Sequence, residues 1–258
     1  MEKIKNYNVY TTAMAKTMLD KIWFLDKIPS SITTIIDFGC ADGTLIQFIE
    51  NLFPNQYNYI GIDNDETMRE IAKKNLCSIG DKVHIVNSLS DVPKEVASNS
   101  VLVLNSVVHE ILSYCSFVEC QAIWAQINSL GFAYVAIRDM HYQKDVEEEK
   151  TDWLKARFYN RGYHFDEWLG KHYYKGYDNN CIIEYLLKYR YRENWSREVC
   201  ERYLWDWKTI LMVNLTKYSP IIETDFFVPF IFEQFEKDYM KMPFNPFNTH
   251  KKMLFKLM

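Results

Sequence analysis

Glycine and proline are scarce, 8 and 7 among 258 residues, and this scarcity excludes collagen-like, low-complexity and disordered chains. No apolar stretch approaches the roughly 18 residues of a membrane span. The first ten residues, Met1 to Tyr10, are too polar to read as a signal peptide. The six cysteines (Cys40, Cys77, Cys115, Cys120, Cys181 and Cys200) form no C-x-x-C pair and no Cys/His spacing of a zinc site. A chain of this length buries enough apolar surface without such staples, so a reduced, cytoplasmic setting is the expectation. A large excess of one charge is also missing. The 30 Lys and Arg stand against 34 Asp and Glu, a net −4, far from the basic bias of a committed nucleic-acid domain.

What is present divides near Lys150. Residues 1–150 carry 13 basic against 20 acidic side chains, and the remaining 108 carry 17 against 14. Of the 41 aromatic residues, 26 follow position 150. An acidic α/β part is therefore joined to a slightly basic, aromatic-rich part.

The first part alternates in the rhythm of βαβ units. Met14, Met18, Ile22 and Leu25 recur at helical spacing over Thr12 to Asp26. Ile32 to Phe38 is a β-branched apolar run of the kind buried on both faces of a parallel sheet. Further strands are expected at Asn58 to Ile62, Val83 to Val86, Val101 to Asn105 and Ala133 to Ile137, with helices at Leu45 to Phe53, Glu66 to Asn75 and Ser116 to Leu130. After Asp139 the rhythm stops until a helix from Arg197 to about Asn214, a strand from Ile221 to Phe227, a helix from Phe230 to Tyr239 and a closing strand within His250 to Met258.

The segment with the most chemistry is Ile35-Ile36-Asp37-Phe38-Gly39-Cys40-Ala41-Asp42-Gly43-Thr44, a buried strand that runs into a glycine turn and then a helix. Twenty positions past Gly43 the second strand ends in Asp63, where a carboxylate can accept from both hydroxyls of a ribose. A dinucleotide fold wants G-x-G-x-x-G, and Thr44 stands where its last position needs a small residue. A diphosphate site is therefore not expected.

Asp37, Gly39, Ala41 and Gly43 instead match D-x-G-x-[GA]-x-G, which resembles the first motif of the class I S-adenosylmethionine-dependent methyltransferases. The resemblance covers about residues 30–140. It implies a doubly wound, Rossmann-like sheet of seven strands, the last antiparallel, and S-adenosyl-L-methionine as cofactor. Carried over by position, Asp37, Gly39, Cys40, Ala41 and Gly43 form the cofactor bend. Asp63, Asn64 and Met68 fall beside the adenosine, and Ser88 and Leu89 lie where the family often has an acidic residue facing the adenine. Asn105 flanks the methionine part. His109 and Glu110, just beyond it, are the catalytic candidates, since a His or Glu there can face the substrate in small-molecule members. Arg138 and Asp139, on the carboxyl edge of the sheet, and Tyr10, in the amino-terminal segment, are the substrate-contact candidates.

The aromatic stretch between the fifth and sixth strands reads as an insertion or lid. Lys188-Tyr189-Arg190-Tyr191-Arg192 alternates cations and rings, and as a strand it would present three charges on one face and two rings on the other. Such a surface can bind RNA. Equally, the aromatics can build a small core with snorkelling cations, or Trp153, Trp168, Tyr173 and Tyr174 can form a pocket for a planar acceptor. His141, His164 and His172, near Glu147 to Glu149, lack regular ligand spacing, and no metal is expected.

The resulting map has residues 1–30 as an amino-terminal segment over the cofactor, 31–140 as the Rossmann-like core, 141–196 as an aromatic-rich helical insertion and 197–258 as the completion of the sheet. The expected activity is methyl transfer to a small molecule or nucleotide-like acceptor. An RNA methyltransferase and a catalytically silent cofactor-binding or scaffold protein are the alternatives.

Overall fold

A computed structural model of the chain describes residues 17–141, 165–168, 179–201, 207–239 and 248–258. Seven strands form one sheet: β1 (Thr34–Phe38), β2 (Asn58–Ile62), β3 (Val83–Val86), β4 (Ser100–Asn105), β5 (Tyr134–Met140), β6 (Tyr218–Phe226) and β7 (His250–Leu257). Their spatial order is β3-β2-β1-β4-β5-β7-β6. The pairs among β1 to β5 are parallel, and β7 is antiparallel to both β5 and β6. The doubly wound seven-stranded sheet expected from the sequence is thus present, with its reversed final strand.

Successive residues of each central strand enter opposite cores. Ile35, Tyr59, Val101 and Val103 pack with Leu45, Ile46 and Ile49 of helix Thr44–Leu52 on one face. Ile36, Ile60, Leu102 and Leu104 pack with Trp124 and Ile127 of helix Phe117–Leu130 and Leu211 of helix Trp207–Asn214 on the other. A strand buried on both sides must be apolar throughout, which is why these runs read so plainly as strands. Strand order reverses between β1 and β4, and at such a switch point the carboxyl ends of neighbouring strands open a crevice for a ligand.

Several expectations need correction. The helix expected over Thr12 to Asp26 is, in its described part, a short helix Met18–Lys21 followed by a 3₁₀ turn Leu25–Lys27; Thr12 to Lys16 and Tyr10 lie outside the described residues. A helix Val108–Tyr114 follows β4 directly. The long helix expected from Arg197 is two pieces, Trp195–Glu198 and Trp207–Asn214. The Lys188 to Arg192 string is no strand, because Lys188 ends helix Asn179–Lys188 and Tyr189–Asn194 is a 3₁₀ turn.

Between β5 and β6 the described part of the insertion has its own aromatic centre. Phe165, Trp168, Tyr185 and Trp195 are all buried, with ring centroids 4.9 Å apart for Phe165 and Tyr185 and 5.3 Å apart for Trp168 and Trp195. Edge-on packing of this kind stabilises beyond area burial alone. Trp168 is therefore core. Trp153, Tyr173, Tyr174, His164, His172 and Glu147 to Glu149 lie outside the described residues, and His141 sits with Nδ1 3.7 Å from Asp225.

Candidate functional site

β1 ends at Phe38, and the chain turns through Gly39 at φ 80°, Ala41 at φ 47° and Gly43 at φ 80° before helix Thr44–Leu52. The left-handed conformations explain the glycines, and the two differ in what surrounds them. Gly39 is exposed, so its backbone lies open to a ligand. Gly43 is buried, and a Cβ there would fall 2.6 Å from Leu76 Cδ1, so it permits close packing of the bend on helix Glu66–Asn75.

The bend's N–H groups are largely satisfied within the protein. Gly39 and Cys40 both donate to Ile62 O, at 2.8 and 3.0 Å, and Gly43 donates to Cys40 O at 2.9 Å. Ala41 N donates to Asp63 Oδ2 at 2.9 Å, and Thr44 N to Asp42 Oδ1 at 3.1 Å. A phosphate cradle needs such donors free and a helix terminus open to an anion. Here a carboxylate, Asp42, already occupies the helix start. The bend is also ringed by Asp37, Asp42 and Asp63, whose negative charges all push the buried Cys40 thiol pKa up, after burial as the main cause. This field repels phosphate and attracts a cation.

Asp63 ends β2 half-buried. Besides Ala41 N, it accepts from Asp65 N through Oδ1 at 2.9 Å. A carboxylate offers about four acceptor positions, so both oxygens keep capacity for hydroxyl donors. Burial raises its pKa, and the two backbone N–H bonds work against that rise. Asp65 caps the next helix by accepting from Thr67 N and Met68 N, which sets buried Met68 beneath the same edge, beside exposed Asn64. Ser88 and Leu89 begin a capped 3₁₀ turn past β3, in which Ser88 N donates to Asp91 Oδ2 at 3.0 Å.

On the other side of the switch point, Asn105 ends β4 opposite Arg138 of β5. Its Nδ2 donates to Lys21 O at 3.2 Å, while its Oδ1 is buried with no hydrogen-bond partner among the described residues. Ser106 follows at φ 56°, a strained conformation for a residue with a side chain. Arg138 fixes this point, donating from Nη1 to Ser106 Oγ at 3.0 Å and from Nε to Asp20 Oδ2 at 2.5 Å. Arg138 is 2% exposed, so in this state it fastens the amino-terminal helix to the sheet.

His109 and Asp139, expected at this edge, do meet. His109 Nδ1 lies 2.7 Å from Asp139 Oδ1, and His109 N donates to Asp139 Oδ2 at 3.0 Å. The other ring nitrogen, Nε2, faces Glu201 Oε2 at 3.7 Å. Glu110 accepts from Arg197 Nη2 at 2.7 Å, and Arg197 also lies near Glu198 and Glu201. Lys188 Nζ is 3.1 Å from Glu201 Oε2. The insertion is thus docked on helix Val108–Tyr114 through buried charges, a set that no local spacing in the chain brings together. His109, Glu110 and Glu201 come within 4.8 Å of one another, as a metal would require, yet Arg197 and Lys188 already neutralise those carboxylates.

Burial alone would lower the His109 pKa, but Asp139, Glu201 and Glu110 outweigh it and raise the value to about 9. An ordinary unfolded histidine titrates near 6.5. Protonated His109 therefore stabilises the folded state fully below about pH 6.5, and the contribution is lost as pH rises toward about 9. Among the described residues it is also faced by Lys188 and Arg197 across Glu201, and by His250, which burial holds neutral well below the usual range. Thermal unfolding followed from pH 6 to 9.5 should show a decline that His109→Gln removes. An identical decline in both proteins would contradict the charged state assigned to this histidine.

No protein-family model matches the chain, and no curated protein matches it by sequence. Solved structures do match. The mitomycin 7-O-methyltransferase MmcR superposes with a TM-score of 0.55 at 10% identity, covering 100% of this chain and 59% of that one. The methyltransferase domain of bacterial CtHen1-C gives 0.53 at 14% identity over 94% of this chain and 97% of that one. The plantazolicin methyltransferase BamL, in complex with a triazolic desmethylPZN analog and SAH, gives 0.53 at 11% identity over 97% and 88%. The chain thus spans about three fifths of the length of the first of these. Together they establish the fold of the class I S-adenosylmethionine-dependent methyltransferases.

Proposed function

We propose that the protein is an S-adenosylmethionine-dependent methyltransferase that acts on a small-molecule or nucleotide-like acceptor by direct transfer. The observation that carries this reading is the bend: an open glycine backbone with internally satisfied N–H groups, set among three carboxylates, one of which, Asp63, keeps acceptor capacity at the end of β2. Those features fit a cationic adenosine derivative without phosphates. When bound, S-adenosylmethionine supplies a methyl group already activated by its sulfonium.

The chain's own residues then have positional work. Asp63 accepts from the ribose hydroxyls, while Asn64, Met68, Ser88 and Leu89 border the adenine. Gly39 to Gly43 shape the bend, and Asp37 and Asn105 face the amino-acid end. Holding an acceptor in line near the reacting carbon contributes several kcal/mol from orientation alone. For an acceptor that carries a proton, His109, oriented by Asp139, is the candidate base in its neutral form, which its carboxylate partners confine to about pH 9 and above. Glu110 supports it by anchoring Arg197. Arg138, Asp139 and Tyr10 bear on substrate, Arg138 by fixing the strained turn at Ser106.

The names of the matched structures support transfer to small molecules, as for mitomycin, and BamL carries SAH. The RNA reading loses its main support, because Lys188 is buried and Arg192 pairs with Glu167 at 2.6 Å. Incubation with methyl-labelled S-adenosylmethionine and either a small-molecule extract or total RNA tests the proposal. Label is expected in the small-molecule fraction. Label confined to RNA would replace this reading by the RNA enzyme, and label in neither would favour a silent cofactor-binding protein.

A further inference from the structure

Among the described residues ten large hydrophobic side chains are exposed, and four of them lie on two neighbouring helices. Phe117 and Val118 open helix Phe117–Leu130 at 78% and 75% exposure, and Met212 and Val213 lie near the end of helix Trp207–Asn214 at 42% and 68%. The two helices are fastened side by side, since Gln121 Nε2 donates to Asn214 Oδ1 at 2.9 Å and Asn128 Nδ2 donates to Asn214 O at 2.7 Å. Their inner residues Trp124, Ile127 and Leu211 are buried against the sheet, so the opposite sides face outward. On the longer helix the rest of that outer side is Gln121, Ala122, Ala125, Gln126 and Ser129, all exposed and none ionised. A face of this kind loses little on leaving water, and contiguous exposed apolar patches mark contacts between proteins.

The charges at its rim show which partner fits. Glu119, in the first turn of helix Phe117–Leu130, is fixed there by accepting from Ser116 N at 2.7 Å. Lys217 lies toward the other end, where its N donates to Asn128 Oδ1 at 3.2 Å. Both residues are exposed. Nine positions of helix separate Glu119 from Asn128, about 14 Å along the axis. One negative and one positive charge thus stand at opposite ends of a neutral face. A two-fold axis midway between them, perpendicular to the line that joins them, exchanges their places. Two copies related in this way set each Glu119 against the partner's Lys217, twice, around a shared apolar centre. Although the chain carries a net −4, a second copy meets this face with opposite charges together and like charges apart.

We propose that the outer face of helices Phe117–Leu130 and Trp207–Asn214 joins two copies of this chain in a symmetric dimer, with Glu119 and Lys217 setting its register. The proposal stands apart from the cofactor reading, because the face lies on helices that flank the sheet and not at the carboxyl ends of its strands.

Sedimentation equilibrium of the full chain over a series of concentrations tests it. The wild-type protein should be a dimer with a Kd in the micromolar range or below, as interfaces of ordinary size give. Val118→Glu combined with Val213→Glu should weaken association at least about tenfold, with an unchanged circular-dichroism spectrum because both side chains already face water. Lys217→Glu alone should also weaken the dimer, by setting carboxylates against each other at low salt. Adding Glu119→Lys to that variant should recover most of the loss, which only reciprocal pairing explains. A wild-type protein that stays monomeric up to about 100 μM would overturn the proposal and leave the face to a different partner. A dimer unmoved by Val118→Glu with Val213→Glu would overturn it by placing the contact elsewhere. Absence of recovery in the doubly reversed chain would overturn the two-fold pairing of Glu119 with Lys217.

Discussion

An Asp63→Ala variant is expected to bind S-adenosylhomocysteine at least tenfold more weakly than the parent protein. Two effects act in the same direction. The ribose hydroxyls lose a charged acceptor, and hydrogen bonds to charged groups are worth about 1.5–3 kcal/mol each, where about 1.4 kcal/mol is tenfold in affinity. The bend also loses its tether, because Ala41 N donates to this carboxylate across the gap between β1 and β2. With Ala41 at φ 47°, that tether helps hold a conformation the residue would otherwise avoid. Calorimetry measures the first effect, and loss of thermal stability reports the second. Unchanged affinity would remove Asp63 from the site.

Arg197→Met is expected to be the most damaging single change to the docking of the insertion. The guanidinium lies 2.7 Å from Glu110, 3.3 Å from Glu198 and 3.8 Å from Glu201, and only Glu110 among these retains appreciable exposure. Removing one member of a buried ionic set leaves the others uncompensated, typically at a cost of about 3–5 kcal/mol. For a chain of this size about 2–4 °C accompany each kcal/mol, so Tm should fall on the order of 10 °C. Arg197→Met combined with Glu201→Gln should recover part of the loss, because the second change removes one stranded charge. A fall of less than about 2 °C would show that these charges are solvated rather than buried.

The sheet was legible in the sequence because its strands face two cores, which forces unbroken apolar runs such as Ile35-Ile36 and Val101 to Leu104. The bend was legible because left-handed turns at Gly39 and Gly43 demand glycine. Helix Val108–Tyr114 was not, since Val107-Val108 continues the apolar run of β4 and the break falls at Ser106, which carries no glycine or proline signal. The string at Lys188 misled for a related reason. Its cations and rings alternate with a period of two, while Glu184, Tyr185 and Lys188 are buried together at helical spacing.

Arg197 was invisible for a different cause. It meets Glu110 across 87 positions of chain. Composition and periodicity report local geometry, and this contact depends on non-local geometry.

The central claim is that the glycine bend receives a cationic or neutral adenosine rather than a phosphorylated one. Titrating the wild-type chain in parallel with S-adenosylmethionine, S-adenosylhomocysteine, ATP and NAD⁺ tests it most directly. Saturable binding of the first two, with none of the phosphorylated ligands at the same concentrations, is the expected result. Binding of ATP or NAD⁺ in preference to both adenosyl amino acids would contradict it.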